Sequence, residues 1–186
     1  MDAQTVRRLA TNWRKTGFYP DKRFPPSPYY LFLGSLVQEM RPAVSVELGV
    51  CGGGACLYMA RAFLDGAVVG VDHALEYPDQ IAYIQNKFPN FCFCKGDSVE
   101  VASMVHAYWG KAKILFIDTI HTYERTMAEW NAWLPFLEEG AVVILDDLFR
   151  PGMSEVWNEM PEPKLRLDFL HIGGAPTDGG LGAVLL

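Results

Sequence analysis

Apolar and polar positions along this chain repeat with two periods, and the switches between them mark the elements. Val44–Leu48 is a β-branched run that reads as a strand, and Ala55–Leu64 carries its apolar residues at helical spacing. The alternation continues with a strand at Ala67–Asp72, a helix at Asp79–Lys87 and a strand at Phe91–Lys95. A helix at Val99–Trp109 follows, with Val101, Val105 and Trp109 along one face, and then a strand at Ile114–Asp118. The helix at Tyr123–Leu137 is given an apolar stripe of Met127, Trp130, Leu134 and Leu137, before a strand at Ala141–Leu145. Strands alternating with helices imply right-handed crossovers and a parallel sheet covered on both faces.

The two ends of the chain differ from this middle. Residues 1–30 are polar, basic and aromatic and close on Pro25-Pro-Ser-Pro-Tyr-Tyr30, where prolines fix an extended approach to a helix at about Tyr30–Met40. After a short helix near Met153–Met160, Leu165–His171 and Leu181–Leu186 read as strands joined by the Gly/Pro/Asp-rich segment Gly173–Gly180. No helical pattern separates these two strands, so they are expected to pair as an antiparallel hairpin. The expected fold is therefore α/β and Rossmann-like: a mostly parallel seven-stranded sheet, helices on both faces, and an antiparallel C-terminal hairpin.

Composition narrows the function classes. Half of the 186 residues are hydrophobic and 20% are charged, as in ordinary globular folds. The net charge is −6, and the basic residues are scattered apart from Arg7, Arg8, Arg14 and Lys15, which read as a solvated helix face. A nucleic-acid partner, which needs a concentrated basic face, is not expected. No apolar run has membrane-spanning length and the start lacks a signal-peptide core, so no membrane partner is expected and the expected location is cytoplasmic. Cys51, Cys56, Cys92 and Cys94 read as reduced, mostly buried small residues.

The candidate chemistry lies where the strands end, because ligands of open α/β sheets bind outside the carboxyl ends of the strands. Glu47-Leu-Gly49 ends the first strand and runs into a glycine cluster and a helix, so backbone can approach a ligand closely there. Glu47 would repel a pyrophosphate, so the loop suits a cationic or hydroxyl-rich ligand, and a nicotinamide-dependent oxidoreductase is the least favoured reading. Asp72 ends the second strand, 23 residues after Gly49, where an acid can accept from ribose hydroxyls, or else serve as a turn residue. Asp97, in Gly96-Asp97-Ser98, can accept from an adenine amino group or cap the next helix. Asp118-Thr-Ile-His121 and Asp146-Asp147 end the fourth and fifth strands. A rim of five acidic strand ends is costly to bury unless a cation binds there. Tyr29, Tyr30, Trp109 and Trp157 are candidate wall residues or plain packing. His73, His106 and His171 share no zinc spacing.

Glu47-Leu-Gly49, Asp72 and Gly96-Asp97-Ser98, together with Leu115–Glu124, Trp133–Gly140 and Val142–Asp147, resemble the class I S-adenosylmethionine-dependent methyltransferases. The resemblance covers about residues 43–148. It is to the small-molecule O-methyltransferase subgroup that includes antibiotic-pathway sugar O-methyltransferases and cephalosporin-hydroxylase-like sequences, and it reaches catechol O-methyltransferase more distantly. It implies one domain over 1–186, with 1–42 as a helical cover and 43–186 as the catalytic core.

The same resemblance implies that Glu47, Gly49, Gly53, Asp72, Asp97, Ser98 and Asp118 contact S-adenosylmethionine. It implies that Asp118, Asp146 and Asp147 hold Mg²⁺ or another divalent cation, and that Asp118 and His121 are catalytic, His121 as general base. The acceptor would be a small hydroxylated molecule. The alternatives are a metal-independent methyltransferase and a non-catalytic domain that binds the donor or its demethylated product. The chain lacks a long acceptor-binding insertion between the fifth strand and the hairpin. The acceptor pocket is therefore open, roofed by the N-terminal segment, or completed by a second subunit in a homo-oligomer.

Overall fold

The structure, a computed structural model, describes residues 1–13, 17, 21–170 and 179–186. Arg14, Lys15, His171 and most of the expected Gly173–Gly180 connection therefore lie outside the described residues. Seven strands form one sheet: β1 (Val44–Leu48), β2 (Ala67–Asp72), β3 (Phe91–Lys95), β4 (Ala112–Ile117), β5 (Leu137–Leu145), β6 (Lys164–Arg166) and β7 (Gly182–Leu185). Their order is β3-β2-β1-β4-β5-β7-β6. The first five run parallel, and β7 lies antiparallel between β5 and β6. The Rossmann-like sheet and its antiparallel close agree with the expectation from the sequence.

Seven α-helices cover the described sheet: α1 (Ala3–Thr11), α2 (Pro28–Met40), α3 (Gly54–Ala62), α4 (Pro78–Lys87), α5 (Ala102–Trp109), α6 (Tyr123–Trp133) and α7 (Met153–Glu159). Period-two alternation in the central strands feeds both faces. Ile114 and Phe116 of β4, with Val142 and Ile144 of β5, pack toward Phe32, Leu36 and Leu57. Leu115 and Ile117, with Val143 and Leu145, pack toward Trp130, Trp133 and Val156. Each such fully buried side chain contributes about 1.5–3 kcal/mol over an exposed one.

Several boundaries differ from the sequence reading for local reasons. The polar start contains α1, which begins where Asp2 accepts the Thr5 N–H at 2.8 Å and which buries Val6 and Ala10. Helix α2 begins at Pro28, because Ser27 caps it and proline is tolerated in a first turn. Helix α6 stops at Trp133, since Pro135 has no N–H to continue it; a 3₁₀ turn over Leu134–Phe136 follows, and Leu137 opens β5 instead of closing the helix. The buried face of α6 is Thr126, Glu129, Trp130 and Trp133, rotated by about one residue from the expected stripe. Strand β6 spans three residues and is followed by a 3₁₀ turn at Asp168–Leu170 in place of a longer strand. No helix among the described residues is long and apolar enough to cross a membrane.

Candidate active site

The turn after β1 is held close to two neighbouring strands by backbone bonds. The Gly49 N–H donates to Val71 O at 2.9 Å, and the Asp118 N–H donates to Leu48 O at 2.9 Å. A Cβ on Gly49, whose φ is +86°, would sit 1.9 Å from the Asp118 carbonyl oxygen, so only glycine lets these strand ends converge. The turn is also gripped from β2. The N–H groups of Val50 and Cys51 donate to Asp72 Oδ2 at 2.9 and 3.0 Å. Asp72 Oδ1 accepts the Ala74 N–H at 3.2 Å and lies 3.0 Å from His73 Nδ1. Asp72 thus organises the turn while still lining the cavity above it. Gly53, with φ +83°, faces inward, and a Cβ there would meet Ile84 Cδ1 at 2.6 Å.

Glu47 lies beneath this turn, 2% exposed, and is not among the residues lining the cavity. The Cys56 thiol and backbone N–H, in the first turn of α3, both hydrogen-bond to it, while Oε2 has no hydrogen-bond partner. Burial pushes its carboxyl up to about 8, with repulsion from Asp118 and Asp72 adding to the rise and Cys56 opposing it. At neutral pH Glu47 is therefore mostly protonated, and the rim carries less negative charge than the sequence suggests.

Asp97 and Ser98 belong to a network that the sequence reading missed. Asp97 Oδ1 accepts the Val99 and Glu100 N–H groups, and Oδ2 pairs with Arg125 Nη1 at 2.9 Å. That guanidinium holds the Asp97 carboxyl below its ordinary range. Arg125 Nε donates to Glu129 Oε1 at 2.9 Å, and its Nη2 donates to Ser98 Oγ. The Ser98 hydroxyl donates to Glu129, Thr119 Oγ1 donates to Glu129 Oε2 at 2.8 Å, and Trp133 Nε1 donates to Ser98 O at 2.8 Å. Glu129 is fully buried with three donors, which is how an acid is tolerated on the inner face of α6. The signal available in the sequence was this i,i+4 Arg–Glu pair, with its acid falling between Thr126 and Trp130.

At the ends of β4 and β5, His121 Nε2 lies 3.4 Å from Asp118 Oδ1 and 3.6 Å from Asp147 Oδ2. Arg150 Nε approaches the same Asp147 oxygen at 2.6 Å, an ion pair without hydrogen-bond alignment. Burial, with Asp146 and Asp147 nearby, pushes Asp118 up to about 6 against the pull of His121. Burial lowers His121, but the hydrogen bond to Asp118 and the charges of Asp118, Asp147 and Asp146 outweigh it and raise its pKa. Three of the four non-glycine residues with positive φ among the described residues, Cys51, His121 and Asp147, line this one cavity. Such backbone costs about 1–3 kcal/mol per residue and persists where its surroundings enforce it.

No group of three or more His, Cys, Asp or Glu side chains among the described residues is arranged to hold a metal ion. Asp118 and Asp147 are met by the chain's own imidazole and guanidinium instead. Asp146 is buried and stands outside the cavity lining. A divalent cation at Asp118, Asp146 and Asp147 would have to displace the imidazole and the guanidinium.

These groups surround a cavity of about 710 Å³ at the carboxyl ends of β1, β2 and β4. Its lining brings together Gly49, Asp72, Asp97, Ser98, Asp118, His121 and Asp147, and leaves Glu47, Gly53 and Asp146 behind it. Tyr29 and Tyr30 of α2 wall it, their rings 4.4 Å apart. Tyr30 also fills the space beside Gly54, where a Cβ would meet the ring at 2.6 Å. Burial raises both phenols, Tyr30 to about 12, so they act near neutrality as uncharged hydrogen-bonding groups. Trp109 and Trp157 do not line the cavity; Trp109 lies beside Tyr108 and Trp157 packs over Gly182. Cys51, Ile120, Arg125 and Arg150 are lining residues that the sequence reading did not assign.

A family model described as a methyltransferase domain matches residues 46–148 of this chain. No curated protein matches it. Among solved structures, the chain is similar over its whole length to the O-methyltransferase TomG from Streptomyces achromogenes, involved in tomaymycin synthesis and solved in complex with SAM. The TM-score is 0.68, the identity 16%, and 91% of that chain is covered. It is equally similar to an O-methyltransferase from Bacillus cereus solved with SAH, at TM-score 0.68 and 18% identity, covering 100% of this chain and 92% of that one. CalS11, a TDP-rhamnose 3'-O-methyltransferase of calicheamicin biosynthesis, gives a TM-score of 0.63 at 18% identity, with 96% of this chain and 92% of that chain covered.

Proposed function

This chain belongs to the family of methyltransferase domains, and on that basis we propose that it transfers a methyl group from S-adenosylmethionine to a hydroxyl of a small molecule. The observation that carries the reading is the placement of His121 against Asp118 in the same cavity as the Gly49–Cys51 turn and Asp72. The donor supplies an electrophilic sulfonium methyl group. Gly49 and Asp72 are assigned to its binding face, and Asp97 and Ser98, fixed by Arg125, to the wall beside it. Glu47, buried below the turn and outside the cavity lining, supports the turn from beneath through its hydrogen bonds with Cys56. His121 takes the proton from the acceptor hydroxyl, and Asp118 stabilises the imidazolium that forms. Tyr29 and Tyr30 keep water from the reacting corner. Positioning and charge supply the rate, with no covalent intermediate on the protein.

A second reading adds a divalent cation held by Asp118, Asp146 and Asp147. It is favoured by one observation: the Asp146 N–H donates to Ile117 O at 3.1 Å, which holds the ends of β4 and β5, with their three acids, side by side. A metal would require His121 and Arg150 to leave the Asp147 carboxylate.

Transfer of labelled methyl from S-adenosylmethionine to a panel of sugars, phenols and small alcohols tests the main reading, with one arm in chelator and one in added Mg²⁺. Turnover that is unchanged by chelator is the expected result. Loss of turnover in chelator and its return with Mg²⁺ would favour the metal reading. Donor binding without transfer to any acceptor would favour a non-catalytic binding domain.

A further inference from the structure

The cavity has an uneven distribution of charge that bears on the acceptor. Among its described lining residues are two guanidinium groups, Arg125 and Arg150. Arg125 is used up internally, with Nη1 on Asp97, Nε on Glu129 and Nη2 on Ser98. Arg150 is not. Only its Nε approaches a partner, Asp147 Oδ2 at 2.6 Å, and its Nη atoms have no hydrogen-bond partner among the described residues. Its side chain is 42% exposed.

Position adds to this. Arg150 lies in the loop between β5 and α7, and His121 Nε2 is 3.6 Å from the very oxygen that Arg150 holds. The free end of the guanidinium is therefore one carboxylate away from the group assigned as base. Beside it, Ile120 is 66% exposed within the lining. Apolar surface next to an unengaged fork of N–H donors suits a molecule with a carbon body and a planar or tetrahedral oxyanion. The local acids do not forbid an anion, since His121 faces both Asp118 and Asp147, and Arg150 faces the second.

We propose that Arg150 recognises the acceptor by clamping an anionic group, a carboxylate or a phosphate, on the molecule whose hydroxyl is presented to His121. This rests on the methyltransferase reading for the role of His121, while the anion site itself is independent of it. The acceptor is thus an acid: a hydroxylated carboxylate or a sugar phosphate.

The test is equilibrium binding to the purified full chain, alone and with S-adenosylhomocysteine, using two matched pairs of probes. The pairs are 3,4-dihydroxybenzoate against 3,4-dihydroxybenzamide, and glucose 1-phosphate against glucose. The expected result is that at least one anion binds tenfold or more tightly than its neutral partner, and which one tells carboxylate from phosphate. R150Q abolishes that preference and R150K keeps part of it, with thermal unfolding confirming that both variants fold. An equal affinity of both members of each pair for the wild-type chain, no saturable binding of either anion, or an undiminished preference in R150Q would overturn the proposal. Failure of S-adenosylhomocysteine to bind would count against the donor assignment alone, because the anion preference is also read without it.

Discussion

Two side chains at the strand ends, Glu47 beneath the cavity and His121 within it, each make a prediction that depends on protonation. Glu47 is held near a pKa of 8 by burial, far above its ordinary 4.5. Ionising it costs the native state more than the unfolded chain, so its contribution to stability falls as pH rises from about 4.5 to about 8 and is flat outside that window. Glu47→Gln removes the titration and keeps an acceptor for Cys56. The gain in melting temperature of the variant over wild type should therefore grow between pH 5 and pH 8; a difference independent of pH would contradict the buried, protonated Glu47.

His121 has a raised pKa and must lose its proton to act as base. Turnover should rise with pH through a value above 6.5, and His121→Asn should lose roughly 10²–10⁴ in kcat together with that acid limb. A variant retaining most of the rate would place the base elsewhere. At this scale, strand-end spacing pointed to one acidic rim; Asp72, Asp97, Asp118 and His121 line one cavity, whereas Glu47 and Asp146 stand outside its lining. The charge state of Glu47 was hidden from it, because that depends on the low-dielectric surroundings that the packed strands and α3 create.

The elements show why some partners were invisible in the chain. The β3–α5 turn, the β4–α6 loop and α6 are tied by one acid, since Ser98, Thr119 and Arg125 all donate to Glu129. Their sequence separations reach 31 residues, and no local pattern encodes them. A stripe drawn from apolar residues alone skips Glu129, which is why the buried face of α6 was placed one residue away. Glu129→Ala strands three donors, one of them a partly buried guanidinium, so it should cost about 3–5 kcal/mol in denaturant unfolding, and Glu129→Gln distinctly less. A loss for Glu129→Ala within about 0.5 kcal/mol, the range of an ordinary surface change, would show that the network is ornamental to the fold. The turn after β1 was more legible: its glycines mark tight backbone, though the structure explains them by contacts with Asp118, Ile84 and Tyr30.

For the molecule as a whole, short apolar runs separated by helical stretches, with a glycine-rich segment lacking helical periodicity, made the mostly parallel sheet and its antiparallel close legible, while the order β3-β2-β1-β4-β5-β7-β6 is set by tertiary packing. Long-range hydrophobic burial on both faces makes that pattern robust to boundary errors at Pro135 and at the start of α5, expected at Val99 and found at Ala102. The expected metal triad is the opposite case: three acids at strand ends are visible in sequence, but whether they converge depends on the positive-φ backbone of His121 and Asp147 and on where Arg150 reaches. The central claim is that this cavity holds a sulfonium methyl donor beside an oxygen acceptor. Calorimetric titration of the folded chain with S-adenosylmethionine and with S-adenosylhomocysteine tests it directly. Saturable binding of both, one per chain, is the predicted result; no saturable heat with either ligand would contradict it.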